Sequence, residues 1–321
     1  MKKLGNNYSH IVTFMKKRVS NLEKNHHIAI DDTLKQDNSI VNDLSNYSYK
    51  ARVKNIQEIS VIYAYDIEKK EPVYCKVFPR NMIDATSYDD FIKENDIKTG
   101  LLIDDKGFPP SSIKHILSSN KGLGFLTPLR RKSKVIMENN MYNFDSLIEN
   151  KFGNIPCKKI QLNNGYYLYS FKELWTEAKE EKDYLTHNAK KFDKDNFQEK
   201  DKSFGTIVLE SNQDMELKTA YDCYATRWLL ELVFKYYKNS LDLDQTREQN
   251  NSSVIGSEFI NFISTLITMR LVNQFEKVEE LDDESFSDII DDLNSVQKIK
   301  INNQWEFAKM NPRIEDILDK L

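Results

Sequence analysis

The sequence predicts an α/β fold in which a mixed sheet, with antiparallel strands first and parallel strands after them, is flanked by helices. Three β-rich runs follow one another at 26–34, 59–65 and 73–78, and a charged turn joins the last two as a hairpin. Helices and strands then alternate, with elements expected at 87–94, 101–104, 111–117 and 124–129. This order is typical of a mixed sheet with helices on its faces.

The composition is that of a globular chain of 321 residues, of which 40% are apolar and 11% aromatic. That aromatic content excludes a mainly disordered chain, and nine glycines and seven prolines are too few for a fibrous one. No uninterrupted apolar run approaches the roughly 18 to 20 residues that span a bilayer. Residues 1–7 lack the apolar segment of a signal peptide. We therefore expect a cytoplasmic protein with no membrane partner.

The cysteines and histidines lack the spacing of a zinc finger or zinc ribbon. Cys75, Cys157 and Cys223 are far apart and form no C-x-x-C pair, which indicates reduced, packed thiols. His26 and His27 adjoin the first strand, where we expect a role at a surface or sheet edge.

The charges are unevenly distributed along the chain. The net charge is -4, yet residues 276–292 hold nine acidic residues against one lysine, so the remainder of the chain is net positive. A basic working face for a nucleic acid is therefore compatible with the acidic overall balance.

The chain divides into regions by pattern. They are a helical N-terminal segment, a core in two parts, an insertion and an acidic helical tail, at 1–25, 26–130 with 203–275, 131–202 and 276–321. The insertion is distinguished by its loss of regular periodicity and by a dense mixture of charges of both signs.

Two aspartates mark strand ends in the predicted sheet. Asp31 is placed at the end of the first strand, and Asp105 just past the end of a later strand that should run parallel to it. Neighbouring strands are roughly 4.8 Å apart, so two such carboxylates can share divalent cations, which prefer oxygen ligands. Aspartates at strand ends are also common as turn and cap residues, and the pair alone leaves that interpretation open.

A charged stripe follows the long helix predicted for 214–237. At about 100° per residue its members fall within roughly an 80° arc, with apolar side chains around them. The stripe consists of Tyr224, Arg227, Glu231, Lys235 and Lys238. These side chains could form i,i+4 pairs on a solvated face, each worth about 0.2–0.5 kcal/mol. Alternatively, the stripe delivers a third carboxylate to the two aspartates, beside cations that would hold phosphates.

These residues resemble the DDE transposases of the insertion-sequence-4 type. Tyr224, Arg227, Glu231 and Lys238 reproduce the pattern Tyr-x2-Arg-x3-Glu-x6-Lys of that family. The run from Asp105 to Phe108 is similar to its Asp-x-Gly-Phe segment, and the basic run from Arg130 to Lys134 to the strand exit that follows it. Asp31 with Thr33 is similar to the first segment, although Asp32 stands where glycine is usual.

The resemblance implies an RNase H-like core with a catalytic, metal-binding triad of Asp31, Asp105 and Glu231. It implies two Mg²⁺ or Mn²⁺ ions, hydrolysis of DNA at transposon ends, and attack of the freed 3′-hydroxyl on target DNA. The expected partners are double-stranded DNA and, in the active form, a second copy of the chain. DNA-binding roles are implied or expected for the side chains of Tyr224, Arg227, Lys238, Arg130 and Arg131.

Two alternative functions stay open from the sequence. Relatives of this type carry a substantial helical region before the first aspartate, whereas thirty residues precede Asp31 here. The chain is therefore either an active transposase or a shortened, catalytically silent remnant that at most binds DNA non-specifically. In a third hypothesis it is a metal-free interaction module whose charged helix stripe contacts a protein partner.

Overall fold

The structure, a computed structural model of the chain, describes most of the sequence. The described residues are 1–22, 26–39, 42–47, 57–78, 84–95, 97–104, 122–150, 153–241, 243–278 and 285–320. Asp105 and the helix predicted at 111–117 lie outside these residues.

The helices within the described residues are numbered along the chain. They are α1 Lys2–Asn6, α2 Tyr8–Ser20, α3 Asp84–Asn95, α4 Lys134–Glu138, α5 Leu174–Asn188, α6 Lys194–Asp201, α7 Leu217–Thr226, α8 Trp228–Lys235, α9 Asn251–Phe275, α10 Phe286–Asn294 and α11 Pro312–Lys320. A 3-10 turn at Ala189–Lys191 follows α5, and a π-helical turn at Tyr236–Ser240 follows α8.

The strands are numbered in the same way. They are β1 His27–Asp37, β2 Asn46–Tyr47, β3 Gln57–Asp66, β4 Glu71–Phe78, β5 Gly100–Asp104, β6 Leu123–Pro128, β7 Ser146–Ile148, β8 Ile155–Gln161, β9 Tyr167–Lys172, β10 Thr206–Ser211, β11 Gln245–Thr246, β12 Lys298–Ile301 and β13 Gln304–Phe307.

The principal sheet is mixed, as the sequence predicts, with antiparallel strands first and parallel strands after them. Its centre runs β4-β3-β1-β5-β6, with β3 antiparallel to both β4 and β1, and with β5 and β6 parallel to β1. Helices cover both faces of this sheet: the Tyr63 ring meets Phe234 and Phe262 on one face, and the Tyr74 ring meets Phe91 on the other. The predicted RNase H-like mixed α/β fold is confirmed.

The predicted insertion continues this sheet. Strands β8 and β9 form the aromatic hairpin expected near its middle, and β9 pairs along its whole length with β10, which in turn pairs with β6. The sheet thus extends through β10, β9, β8 and β7. Only the helices α5 and α6 at the end of the segment carry the dense charge mixture, on mostly exposed surfaces.

The N-terminal helices pack on the core. Ile11, Met15 and Val19 of α2 are buried in the main apolar cluster. Helix α1 lies so close to α9 that a Cβ added at Gly5 would stand 1.7 Å from the Ser252 carbonyl oxygen. A Cβ at Gly256 would stand 2.4 Å from the Met1 carbonyl oxygen. Glycine is required at this crossing because the two backbones leave no room for a side chain.

The acidic tail is not wholly helical, and that part of the prediction is wrong. Between α10 and α11, residues 298–307 form the hairpin β12–β13. Its two-residue turn has Asn302 and Asn303 at φ 49° and 71°, the left-handed conformation that a tight hairpin requires and that asparagine tolerates. These short strands lie beyond the acidic run at 276–292, and their apolar and polar residues alternate over only four positions each.

Helix α9 is long and apolar enough to cross a membrane by length and composition, and half of its most apolar window is buried inside the protein. Its side chains supply the core beneath the sheet, including Phe262 and Met269. Glu258, in its middle, makes a buried ion pair with β1. These contacts identify α9 as a core helix of this fold.

The cysteines are packed as predicted. Cys75, Cys157 and Cys223 are all free and buried. Burial, with a smaller contribution from the charge of Glu68, raises the pKa of the Cys223 thiol to about 11. A protonated thiol is a poor nucleophile and a poor metal ligand near neutral pH.

Candidate active site

Asp31 lies in the middle of β1, not at its end as the sequence predicted. The strand continues to Asp37 because its later residues pair with β3 over their whole length. The neighbouring strand β5 ends earlier, with Asp104 opposite Ile30. Asp31 is therefore the first residue of β1 beyond the end of its parallel neighbour.

This arrangement opens a gap beside β1. On the side of β5, the pairing of β1 stops at Ile30 and resumes at Gln36, where β11 begins. No strand within the described residues pairs with β1 on that side between those two positions. Asp31 thus stands at a break in the sheet, where its carboxylate is 16% exposed.

The helix predicted at 214–237 is interrupted at one residue, Arg227, which keeps right-handed helical φ and ψ angles of -51° and -32°. Helix α7 ends at Thr226 and α8 begins at Trp228, with Arg227 at the junction. The π-helical turn follows at once and contains Lys238. Glu231 is consequently carried on a helix of only eight residues between two irregularities. Single π-helical turns within helices are frequent at functional sites.

Arg227 lies between the carboxylates of Asp31 and Glu231. Its Nη1 is 3.8 Å from Asp31 Oδ2, and its Nη2 is 4.0 Å from Glu231 Oε1. Across the planar guanidinium these two oxygens are therefore no more than about 10 Å apart. Two side chains separated by 200 positions in the chain thus approach the same guanidinium.

The side chains of this site differ in how far they are exposed to solvent. The Arg227 side chain is 12% exposed and that of Glu231 is 52% exposed. The Tyr224 ring lies against Arg227, with the guanidinium carbon 5.3 Å from the ring centroid. Asp31 and Arg227 are therefore the partly buried side chains of the site, and Glu231 is the exposed one.

The second predicted carboxylate, Asp105, lies outside the described residues. Its neighbour Asp104 is fully buried and pairs with Ile30. Because side chains alternate across a strand, Asp104 faces the side of the sheet opposite to Asp31. Asp104 does not complete the site.

The predicted DNA-binding residues are placed in different surroundings. Arg130 is exposed just after β6. Arg131 instead makes two hydrogen bonds to the Glu180 carboxylate of α5, at 2.9 and 2.8 Å. Lys238 is half-buried in the π-helical turn. The Arg131 charge is thus already matched by an acidic partner, whereas Arg130 presents its charge to solvent.

A buried polar network behind the site was missed by sequence reasoning. Lys35, four residues after Asp31 and on the same face of β1, lies 2.6 Å from Glu258 Oε1 and 3.2 Å from the Tyr237 hydroxyl. That hydroxyl donates to Glu258 Oε2 at 2.6 Å. Burial, together with the charge of Glu258, raises the pKa of Tyr237 well above its ordinary value. The network joins β1, the π-helical turn and α9.

The donor atoms of the site suit a hard divalent cation. Asp31 and Glu231 offer carboxylate oxygens, the ligand type that Mg²⁺ and Mn²⁺ prefer. A separate group, His26, Asp66 and Glu68, has potential ligand atoms within 4.8 Å of one another. It lies at the start of β1, and His26 Nδ1 is already hydrogen-bonded to Asp66 at 2.8 Å. Sequence reasoning did not find this group because Asp66 is the last residue of β3 and Glu68 lies in the β3–β4 turn, both far from His26 along the chain.

The topology and the placement of two carboxylates, one on the first strand and one on a helix after the sheet, define an RNase H-like domain with an acidic site. Residues 24–255 match the family described as transposase DDE domain. That match spans more than half of the chain, and the chain belongs to this family. The DDE transposase resemblance is confirmed at this level. Among curated proteins, none matches the chain.

Two solved structures are similar to parts of the chain. A piggyBac transposase synaptic complex with hairpin DNA is 12% identical and has a TM-score of 0.49, over 80% of this chain and 49% of that chain. A Mos1 transposase paired-end complex with the left transposon end is 12% identical and has a TM-score of 0.21, over 39% and 41% of the two chains. The chain thus spans about half the length of the piggyBac transposase chain it matches.

Proposed function

We propose that this chain is a transposase of the insertion-sequence-4 type, which cuts DNA at transposon ends and joins the freed 3′ ends to target DNA. The observation that carries the proposal is the meeting of Asp31 and Glu231 at the Arg227 guanidinium, at 3.8 and 4.0 Å. Membership of the DDE domain family supports a DNA-cleaving and DNA-joining enzyme in general.

Asp31, Glu231 and Asp105 would hold two Mg²⁺ or Mn²⁺ ions. When bound, such ions activate water or a hydroxyl and stabilise charge on the scissile phosphate. The chain's own residues then provide the orientation. Lys35, Tyr237 and Glu258 fix β1 against the segment that follows Glu231. Arg227 is a positive charge beside the two described carboxylates.

The substrate of this proposal is double-stranded DNA, at transposon ends and at the target. Arg130, Tyr224, Arg227 and Lys238 are the side chains proposed to contact it. Arg130 is the best placed of them for a phosphate, since it is exposed and follows a strand that ends at the same edge as β5. A homodimer and a cytoplasmic location belong to the same proposal.

Metal binding and DNA nicking by the purified full chain test the proposal. Calorimetry with Mn²⁺ should show binding that is lost in Asp31→Asn and in Glu231→Gln. The same variants, and Asp105→Ala, should fail to nick end-containing DNA in Mg²⁺ or Mn²⁺. Asp32→Asn and Glu216→Gln are matched controls. Each removes one carboxylate without touching the site: the Asp32 side chain faces away from Asp31 towards Ser60, and Glu216 precedes the first residue of α7.

Each outcome separates the hypotheses. Nicking that persists equally in Asp105→Ala or Glu231→Gln would discard this site. Mn²⁺ binding without nicking would favour the catalytically silent remnant. If the carboxylate variants leave Mn²⁺ binding unchanged, the metal lies elsewhere, and the group of His26, Asp66 and Glu68 becomes the first place to look.

A further inference from the structure

The hairpin β12–β13 has two different faces. Paired residues of an antiparallel hairpin share a face, and the register pairs Lys298 with Phe307 and Lys300 with Trp305. One face is therefore made of two lysines and two aromatic rings. The opposite face consists of Ile299, Ile301, Gln304 and Glu306. We call the first the basic aromatic face.

The basic aromatic face is uncovered. All eight strand residues of the hairpin are exposed, and the Trp305 and Phe307 side chains remain 67% and 52% exposed. The hairpin pairs with no other strand of the described chain. Large rings left in water on a small two-stranded element are unfavourable unless a partner covers them at some stage.

The hairpin is nevertheless anchored. The Ala308 amide donates to the Gln297 carbonyl at 2.8 Å and closes its open end. The flanking helices α10 and α11 are attached to the end of α9 by an apolar cluster that contains Ile289, Ile317 and Phe275. The rings are thus presented on a support that is fixed to the domain.

The charges on this face select the partner. Lys298 and Lys300 are its charged residues, whereas the acidic residue of the hairpin, Glu306, is on the other face. Lys298 Nζ lies 4.4 Å from the centroid of the Phe307 ring, so ring and ammonium are held together. Cations beside exposed rings match a strand whose phosphates and bases are both accessible, because the ammonium groups contact phosphates while the rings stack on bases.

We propose that the basic aromatic face binds DNA in which bases are unpaired, with Trp305 and Phe307 stacking on bases and Lys298 and Lys300 contacting phosphates. The inference rests on the proposed function in that it takes DNA as the ligand. It requires no metal and no cleavage, so the two proposals fail separately.

Fluorescence anisotropy of the full chain with a labelled single-stranded oligonucleotide, in EDTA, tests this directly. Trp305→Ala should weaken binding by about fivefold to a hundredfold, the range expected when one base loses its stacking ring. Trp305→Tyr should restore most of the affinity. Lys298→Gln with Lys300→Gln keeps both rings and should lower the slope of log affinity against log salt by about 0.7 for each phosphate that a lysine had contacted.

Two matched variants complete the experiment. Trp175→Ala removes a tryptophan that is 85% exposed on α5, and Gln304→Ala with Glu306→Gln alters the other face of the hairpin. Both should leave the affinity within twofold. Equal affinity in wild type, Trp305→Ala and the lysine variant would overturn the proposal. So would unchanged DNA binding with a dimer-to-monomer shift on sedimentation, which would assign the face to a second copy of the chain.

Discussion

The Lys35 ammonium lies 2.6 Å from the Glu258 carboxylate in the centre of the protein, and the two side chains are 2% and 1% exposed. Tyr237 and Asn261 supply the remaining hydrogen bonds of this carboxylate, at 2.6 and 3.0 Å. A buried pair of this kind contributes little net stability but fixes which elements meet, because a lone buried charge is very unfavourable. Here it fixes β1 against α9 and the turn after Glu231.

Breaking this pair on one side should be strongly destabilising. We expect Glu258→Leu to lower the free energy of unfolding by about 3–5 kcal/mol, because it leaves the Lys35 charge buried without its partner. Lys35→Met with Glu258→Leu should recover much of that loss. Denaturant unfolding measures both. Lys70→Met is the control, because the Lys70–Glu276 pair is about half exposed and should contribute no more than about 1 kcal/mol. Equal effects of the single and double variants would contradict the prediction.

Acid should weaken the attachment of α2 and α9 to β4 through Glu71. Its carboxylate accepts from Arg18 at 2.9 Å and from Arg270 at 2.7 Å. Burial alone would raise the Glu71 pKa, but the hydrogen bonds and charges of the two arginines outweigh it and lower the pKa. The resulting stability is present above the unfolded-state value of about 4.3 and is lost as the pH falls through the lowered folded value.

Glu71→Gln should therefore be less stable than wild type at pH 7, by about 1–3 kcal/mol. The difference should shrink as the pH is lowered below about 4.5, because the wild-type carboxylate becomes protonated. Unfolding free energies at pH 7 and pH 3.5 check this. A difference that stays constant between the two values would exclude Glu71 as the source of the acid sensitivity.

The crossing of α1 and α9 should not tolerate a methyl group. Gly256→Ala places a Cβ 2.4 Å from the Met1 carbonyl oxygen, so we expect a loss of about 1–3 kcal/mol from forced displacement of α1. Ser257→Ala, one position further along the same helix, is the control and should be neutral or slightly stabilising by helix propensity. Thermal unfolding measures the stability of both variants, and equal stability would contradict the prediction.

Arg227 should compete with cations for the carboxylates beside it. Because its guanidinium lies 3.8 Å from Asp31 and 4.0 Å from Glu231, Arg227→Gln should tighten Mn²⁺ binding in the absence of DNA by about fivefold, equivalent to about 1 kcal/mol of competition removed. Calorimetry gives the affinity, and Lys235→Gln, an exposed cation of the same stripe, is the matched variant. Weaker Mn²⁺ binding in Arg227→Gln would show that the guanidinium organises the site instead.

The two neighbouring arginines should differ in their effect on DNA. Arg131→Met breaks the pair with Glu180 and should lower stability by about 1 kcal/mol with little change in DNA affinity. Arg130→Met should leave stability unchanged and reduce the salt slope of duplex binding by about 0.9, as expected for one phosphate contact. Anisotropy at several salt concentrations separates the two, and identical slopes would remove Arg130 from the DNA-binding surface.

The fold could be predicted because local patterns of apolar and polar residues indicate the strands and helices and their order along the chain. The run from Ile59 to Tyr65 is buried on both faces, and its continuous apolar character indicates a central strand. The family resemblance implied that Asp31 and Glu231 share one site, and the structure places them 3.8 and 4.0 Å from the Arg227 guanidinium.

Features that depend on tertiary contacts could not be predicted from the sequence. The extension of β1 beyond Asp31 depends on pairing with β3, which no local pattern encodes. The break at Arg227 falls within an uninterrupted helical pattern without glycine or proline. From the sequence, Lys35 and Glu258 would be predicted to lie at the surface. In the folded protein each is buried beside the other.

The continuity of the sheet limits how the protein can be redesigned. Strand β10 is hydrogen-bonded to β6 on one side and to β9 on the other. Excising residues 131–202 would convert this interior strand into a bare edge, whose unpaired amide and carbonyl groups invite association with other chains. A minimal catalytic version of the protein must therefore keep the β8–β9 hairpin, and trimming is safest in the charged helices beyond it.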